Sequence, residues 1–405
     1  MKLPSAMETL GYEDLLGGAE PIRLDGVAQL GDGLGNYWRK VLAHLWAGKE
    51  VLLGGAGEVP LMGNSFLGGL PTEDVFLEEL GRREARIGIY SSGTTGKPRL
   101  IWQSLGRILP AVRRAPDYQG QLWAHSYNPC HLAGLLVAMQ VFLTRSRMVD
   151  LREVELAEVP EAFESAGLDR ISVTPTFFRG VPWRKGWTCE RIVSCTFGGE
   201  RVGKEDLEQA RTLFPRARVR NLFASTEGGV LMGSETEVFE IDGVDWVRVR
   251  EGCLEVRSDY VAEWEGRELT EDGWYRTGDQ VKELEGPPRA IRFVGRSSGR
   301  INVGGLWVDP EEVEAKIRSW RGVTMAFVYG VPNRMTGSVL AAKWMGNADE
   351  VCEKELRRFL ANELPREAVP RIFEQVDRLP VLASGKVDRL AASGRSHPVE
   401  EGVGC

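Results

Sequence analysis

Cysteine and histidine are scarce in this chain, and their placement excludes more than their number does. The six cysteines, at 130, 189, 195, 253, 352 and 405, form no Cys-x-x-Cys pair and no regular spacing. That argues against a disulfide framework or a thiolate zinc site and for reduced thiols. The four histidines, at 44, 125, 131 and 397, include no pair at helical ligand spacing, so a protein-held transition metal is not expected. Long apolar runs are missing too. The longest, Leu132–Leu143, is broken by Gln140 and falls short of the roughly 20 residues of a membrane-spanning helix. Basic residues are not in excess: 51 Lys and Arg stand against 58 Asp and Glu, a net charge of −7, with no basic cluster. Neither nucleic acid nor an anionic membrane surface is therefore an expected partner. No repeat or low-complexity tract occurs. Met1-Lys2-Leu3-Pro4 leads to Glu8, Glu13 and Asp14 rather than to an apolar leader, so a cytoplasmic location is expected.

What is present is a globular composition, 42% apolar and 27% charged, over 405 residues. That length exceeds one ordinary core, and two domains are expected. The first 85 residues read irregularly: Tyr37–Trp46 has the pattern of an amphipathic helix with Trp38, Val41, Leu42 and Leu45 on one side. Leu52–Gly57 and Gly63–Gly69 read as glycine-rich connections, and Gly31–Gly35 as a turn, because it lacks the later glycine of a dinucleotide fingerprint. From residue 86 strands alternate with helices. Strands are expected at Arg86–Tyr90, Leu122–Tyr127, Arg170–Thr174, Arg191–Thr196 and Val219–Phe223, and helices at Leu132–Phe142 and Lys204–Leu213. The alternation implies a mainly parallel sheet. Between about 238 and 294 short strands without helices (Trp246–Val249, Leu254–Arg257, Ile291–Val294) suggest a β-rich subdomain, a small barrel. Beyond Gly295 comes a compact α+β unit: a helix at Glu311–Trp320 opened by Pro310, strands at Thr324–Tyr329 and Val339–Trp344, and a helix at Ala348–Leu364 ended by Pro365. The expected division is 1–295 and 296–405.

One segment carries more chemistry than any other. Tyr90-Ser91-Ser92-Gly93-Thr94-Thr95-Gly96-Lys97-Pro98-Arg99 follows a strand and packs two glycines, four hydroxyls and two cations into ten residues. Small residues let backbone N–H groups close around phosphate oxygens, hydroxyls donate further bonds, and cations offset charge. It is not the ordinary mononucleotide loop, which needs glycine where Ser91 stands and Ser or Thr where Pro98 stands. A solvated hairpin turn is the bland alternative.

This loop resembles the phosphate loop of the adenylate-forming superfamily, which includes acyl- and aryl-CoA synthetases, peptide-synthetase adenylation domains and luciferases. Four further stretches resemble that superfamily's motifs in its order: Asn221-Leu222-Phe223-Ala224-Ser225-Thr226-Glu227, Tyr275-Arg276-Thr277-Gly278-Asp279, the junction Gly295-Arg296 with Gly305 and Pro310–Glu314, and Leu379-Pro380 with Ser384–Arg389. The resemblance spans residues 86–390. It implies an α/β fold: a large N-terminal domain of mixed and parallel sheets with flanking helices and a β-rich subdomain, plus a small mobile α+β C-terminal domain.

The resemblance also implies roles. Ser91, Ser92, Gly93, Thr94, Thr95, Gly96, Lys97 and Arg99 would hold ATP phosphates, Thr226 the α-phosphate, and Glu227 a magnesium ion, a hard cation suited to carboxylate oxygen. Phe223 would stack on adenine beside Gly198, Gly199 and Glu200; Asp279, with Arg296 nearby, would accept the ribose hydroxyls. Lys386 would bridge substrate carboxylate and α-phosphate. His131 and Gly134 would border the acid pocket, Gly305 the path of a pantetheine arm, and Ser298 would sit at the hinge. The implied activity is a two-step acid–CoA ligation through acyl-AMP with pyrophosphate release. ATP, Mg2+ and coenzyme A would be required, and a small carboxylic acid would be the substrate. An acyl-carrier protein, an amine or an oxidative acceptor remain alternatives for the second step, and a non-catalytic nucleotide binder for the whole.

Departures from the pattern are few. The segment ahead of the loop is short for the superfamily, as in compact o-succinylbenzoate–CoA ligases, whose His-x-x-Gly is similar to His131–Gly134. Phe223 and Ala224 replace the usual Tyr and Gly; Ser298 and Asn302 replace residues that are more often charged, which bears on domain rotation.

Overall fold

A computed structural model describes residues 9–11, 22–23, 37–38, 41–42, 45, 51–53, 66–67, 86–91, 99–152, 154–296, 299–347, 350–380, 387 and 389–394. At its centre is a seven-stranded sheet ordered Thr9–Gly11, Arg147–Asp150, Leu122–His125, Arg170–Val173, Ser194–Phe197, Arg218–Ser225, Gly229–Ser234. The five inner strands run parallel and the two outer ones antiparallel. Parallel neighbours need crossover connections, and these supply the covering helices.

The two faces of this sheet differ because successive side chains point opposite ways. Ile171, Val173, Cys195, Phe197 and Val219 enter one apolar cluster with Phe163, Phe178 and Leu207 from helices Val159–Ala166, Pro175–Gly180 and Lys204–Leu213, and with Phe214 just past the last of them. Trp183 and Trp187 pack against Phe163 and Phe214 there. The residues between them, Ser172, Thr196 and Arg220, face a cavity instead. Helix Leu132–Leu143 packs with the buried, helical Tyr37, Trp38, Val41, Leu42 and Leu45 in a second cluster, as the amphipathic pattern predicts. Gln140, the break in its apolar run, is buried but satisfied: its amide accepts from the Arg113 N–H at 2.8 Å and donates to the Arg113 carbonyl at 2.5 Å.

Strands Val51–Leu53, Arg86–Ser91 and Arg99–Ser104 form a second sheet, and Ser91 pairs with Arg99 across the last two. An antiparallel sheet ordered Val238–Glu240, Ala290–Arg296, Trp274–Leu284, Cys253–Arg257, Val247–Arg250 makes the β-rich part. It is an open sheet rather than the expected barrel, since no pairing joins its outermost strands among the described residues. The small C-terminal domain holds the hairpin Ile301–Val303/Leu306–Val308, helices Pro310–Arg318 and Glu353–Glu363, and a sheet ordered Val323–Asn333, Gly337–Gly346, Ile372–Gln375. It has an apolar cluster of its own.

Lys204–Leu213 matches its expected bounds, its first turn closed by the Asp206 carboxylate accepting from the Gly203 N–H. Pro310 occupies the first turn of its helix, behind an Asp309 cap. Other expectations need correction. The strand expected at Arg191–Thr196 is Ser194–Phe197, because Arg191 turns outward to the Gly167 carbonyl. The helix expected from Ala348 begins at Glu353. Leu52–Gly57 opens inside strand Val51–Leu53, and Phe66–Leu67 within 63–69 pairs with Ile22–Arg23. Trp274–Leu284, the longest strand of its sheet, was not anticipated. Gly31–Gly35 lies outside the described residues.

Candidate functional site

A cavity of about 1650 Å³ opens where the parallel strands end and extends beneath the C-terminal domain. Ligands of open α/β sheets bind at that carboxyl edge. The turn Ser225–Gly228, between the antiparallel strands Arg218–Ser225 and Gly229–Ser234, presents Thr226 and Glu227 to it. The Gly228 N–H donates to Ser225 Oγ at 2.9 Å within this turn, and three bonds from other segments hold it. Gln103, fully buried on Arg99–Ser104, donates its amide to the carbonyls of Thr226 at 2.6 Å and Glu227 at 2.9 Å. The Ala262 N–H donates to the Glu227 carbonyl at 2.8 Å. The Glu227 carboxylate has no hydrogen bond or ion pair among the described residues.

Asp279 and Arg296 are register partners on adjacent strands. The buried Asp279 carboxylate accepts from Arg296 Nε at 2.7 Å, and its N–H donates to Thr277 Oγ1. Burial works against the Arg296 charge, but Asp279 first, and then Glu227 and Glu311, outweigh it and raise its pKa. Burial, with Glu227 next in effect, pushes the Tyr275 hydroxyl up to about 12, so it stays protonated.

On the opposite wall the Glu200 carboxylate is fixed by the backbone N–H and hydroxyl of Thr176, at 2.9 and 3.0 Å. Gly199 precedes it at φ +83°, a left-handed conformation that glycine adopts without the strain of a Cβ. Phe223 lines the cavity and stacks on Phe293, the ring centroids 4.3 Å apart. At the two ends of the hydroxyl-rich loop, Ser91 Oγ and Arg99 Nε are buried without a hydrogen-bond partner among the described residues. They are the donors that a phosphate oxygen would take.

The C-terminal domain closes the far side. Glu311, Glu314, Arg318, Met325, Val387 and Arg389 all line the same cavity. Val387, next in sequence to Lys386, packs against the cluster of Met325, Phe327, Leu379 and Ala392. Arg389 donates to both oxygens of Glu314, at 3.1 and 3.2 Å, and lies over the Phe327 ring.

Of the residues expected from sequence, Ser91, Arg99, His131, Gly198, Gly199, Glu200, Phe223, Thr226, Glu227, Asp279 and Arg296 line this one cavity. Gly134 and Gly305 do not. Gly134 is spent on packing: a Cβ there would sit 2.5 Å from the Asn128 carbonyl oxygen and 2.8 Å from Pro129 Cα. Gly305 is exposed on its hairpin, its N–H donating to Asn302 Oδ1. Ser92–Lys97, Ser298 and Lys386 lie outside the described residues. Gln103, Thr176 and Phe293 were not anticipated; Gln103 directly follows the loop on an alternating strand, where a lone amide among apolar residues is a detectable oddity.

Residues 76–252 match the family model described as AMP-binding enzyme, and residues 312–386 match the AMP-binding enzyme C-terminal domain. Tyrocidine synthase 3 of Brevibacillus parabrevis is 26% identical over 349 residues, which are 75% of this chain and 5% of that protein. Among solved structures, ATP-bound MatB from Rhodopseudomonas palustris superposes with a TM-score of 0.61 at 21% identity, over 75% of this chain and 66% of that one. The o-succinylbenzoate CoA synthetase of Bacillus subtilis, with its acyl-adenylate, gives 0.57 at 20% identity, over 82% and 71%. At these identities the structural likeness establishes the fold.

Proposed function

The chain belongs to the adenylate-forming enzymes, and on that premise we propose that it is an AMP-forming acid–CoA ligase with an adenylating core at 1–295 and a lysine-bearing domain at 296–405. The observation that carries this reading is convergence. Three stretches far apart in sequence (223–227, 279 with 296, and 387 with 389) line one cavity together with both ends of the phosphate loop.

In the first step a carboxylate oxygen of the acid attacks the α-phosphorus of ATP, and the bond to pyrophosphate breaks. Two anions meet, so the site must supply charge and donors where negative charge accumulates. Arg99, Ser91 and the loop Ser92–Lys97 would hold the phosphates. Thr226 would bond the α-phosphate; Phe223, with Gly198–Glu200, would take the adenine; Asp279, steadied by Arg296, would accept from the ribose. The carboxylate of Glu227, without a partner among the described residues, suits it to hold magnesium, which when bound neutralises phosphate charge. Lys386, beside the anchored Val387, would bridge the reacting carboxylate and phosphate. In the second step the CoA thiol adds to the acyl carbon and AMP leaves. The overlap with tyrocidine synthase 3 favours a second reading, in which the acceptor thiol belongs to an acyl-carrier protein.

Pyrophosphate release over a panel of aryl and aliphatic acids with Mg-ATP tests the first step; release that depends on acid is expected, and silence across the panel would favour a nucleotide binder. Lys386→Ala is expected to slow adenylation by about 10²–10³ while largely sparing thioester formation from supplied acyl-AMP. Equal loss in both steps would refute its assigned role. Thioester yield with CoA against a carrier protein decides the acceptor.

A further inference from the structure

One face of the central sheet is hydroxylated where its strand type calls for hydrocarbon. Inner parallel strands are covered on both sides and read as near-continuous apolar runs. In Arg170–Val173 and Ser194–Phe197 only the face toward Phe163 and Phe214 obeys this, with Ile171, Val173, Cys195 and Phe197. The other face carries Ser172, Ser194 and Thr196, and Ser172 and Thr196 are register partners. All three line the cavity, together with the apolar Leu136 and Val137 of helix Leu132–Leu143.

Tyr127, just past strand Leu122–His125, joins this row. Its oxygen accepts from Ser172 Oγ at 3.3 Å, and its own proton has no acceptor among the described residues. Burial raises the pKa of the phenol, against the opposing effect of the Ser172 bond, so the proton stays in place. The hydroxyls of Ser194, itself buried, and Thr196 have no hydrogen bond among the described residues. Arg220 follows Thr196 in register, but its guanidinium leads away: a Cβ at Gly233 on the next strand would sit 3.2 Å from its Nη2. The row facing the cavity is thus an uncharged set of donors and acceptors among apolar side chains. It begins beside the nucleotide residues, since a Cβ at Gly198 would sit 3.7 Å from Tyr127 Oη. Thr196 lies two residues, or about 7 Å, further along the strand.

We propose that the acid activated here carries an uncharged hydroxyl group on its carbon skeleton, received by Tyr127, Ser172 and Thr196. This inference rests on the adenylation reading above. A hydroxyl both donates and accepts, so it takes the Tyr127 proton and gives its own to a serine or threonine oxygen. A hydrocarbon in the same place would strip water from these groups and return nothing. A site built to bond a hydroxyl therefore rejects the analogue that lacks it, more strongly than an apolar pocket rejects an added hydroxyl.

The test measures pyrophosphate release with benzoic and straight-chain acids, the positional hydroxyl isomers of each, and the methyl ethers of those isomers. The aryl and aliphatic series show which skeleton bears the group. The best hydroxy acid should exceed its unsubstituted parent in kcat/KM by about 10–100-fold, and its methyl ether, which cannot donate, should lose most of that gain. Thr196→Val, Ser172→Ala and Tyr127→Phe remove one hydroxyl each at nearly constant shape, and each that bonds the substrate should shrink the ratio of hydroxy acid to parent by about 3–10-fold. Near-UV circular dichroism establishes that the variants are folded; a merely structural role would lower both rates together and leave the ratio unmoved. A ratio at or below one for every isomer in the unsubstituted protein, an ether as good as its hydroxy acid, or a ratio that none of the three substitutions moves overturns the inference while the adenylation reading stands. No release with any acid defeats both.

Discussion

Gln103 is the residue on which the geometry of the Thr226–Glu227 turn depends most, and Gln103→Leu tests that dependence. The substitution keeps most of the side-chain volume and removes two donations to backbone carbonyls. The Glu227 carbonyl retains its bond from Ala262, so only the Thr226 carbonyl is left without a partner. One orphaned buried acceptor costs about 1–3 kcal/mol. Part of this is returned, because Gln103 Oε1 is itself buried without a partner among the described residues and leaves with the side chain. A net loss of about 1–2 kcal/mol is therefore expected in urea unfolding, with an unchanged m-value. The functional effect should exceed the structural one. On the proposed reading Thr226 and Glu227 would have to meet the α-phosphate and its magnesium within a fraction of an ångström, and a shifted turn would lose that alignment. The rate of pyrophosphate release at saturating acid should fall at least about tenfold, while the KM for the acid, which binds elsewhere in the cavity, changes little. A stability loss with kcat intact would reduce Gln103 to a packing residue; no change in either would mean that the turn holds itself.

Asp309 offers a pH-dependent test. Burial, reinforced by Glu311, raises its pKa from 3.8 to about 6. One oxygen caps the helix through the Glu311 N–H, and the other is buried without a partner among the described residues. A carboxyl whose pKa is raised on folding contributes stability below pH 4 that is lost as pH rises through 6. Asp309→Asn keeps the cap and removes the charge, so it should raise the melting temperature at pH 8 and leave it nearly unchanged at pH 4; a pH-independent shift would contradict the linkage. Gly134→Ala should destabilise by about 1–3 kcal/mol through overpacking against Asn128 and Pro129, measured by chemical unfolding, and a neutral result would mean that the 128–129 turn yields freely.

What could be read in the sequence was whatever is fixed by local chemistry. Lys204–Leu213 was legible because its periodicity, its first-turn Asp206 and the later Pro215 all agree. The motifs were legible because each is contiguous, and those of their residues that are described mostly line one cavity. Trp274–Leu284 was missed because its motif, Tyr275–Asp279, looks like a polar loop; only pairing with two neighbours makes it a strand. Gln103 was missed for a related reason. Its partners lie more than 120 residues away, and no local pattern announces a side chain whose task is to hold another segment's carbonyls. Gly134 fitted a motif, but its neighbours show that the motif's glycine serves packing.

Charged groups of the two domains face one another beside the cavity, and on the proposed reading that bears on how the second step would follow the first. Arg179, on the core, forms a close pair with Asp206, at 2.7 and 2.5 Å. Arg318, on the C-terminal domain, has its pKa lowered to about 10, by burial first and then by Arg179. Asp206, Glu314 and Glu311 act in the opposite sense and keep Arg318 charged. Glu314, buried with its pKa raised, is neutralised in turn by Arg389, two residues beyond Val387. An apolar seam of this extent would gain from burial wherever it closed and would resist parting. An ionic one roughly balances desolvation against attraction, and its groups are well solvated when apart. On the proposed reading, a contact made through such groups would cost little to exchange for water, as would suit a domain that presents Lys386 for one step and withdraws it for the next.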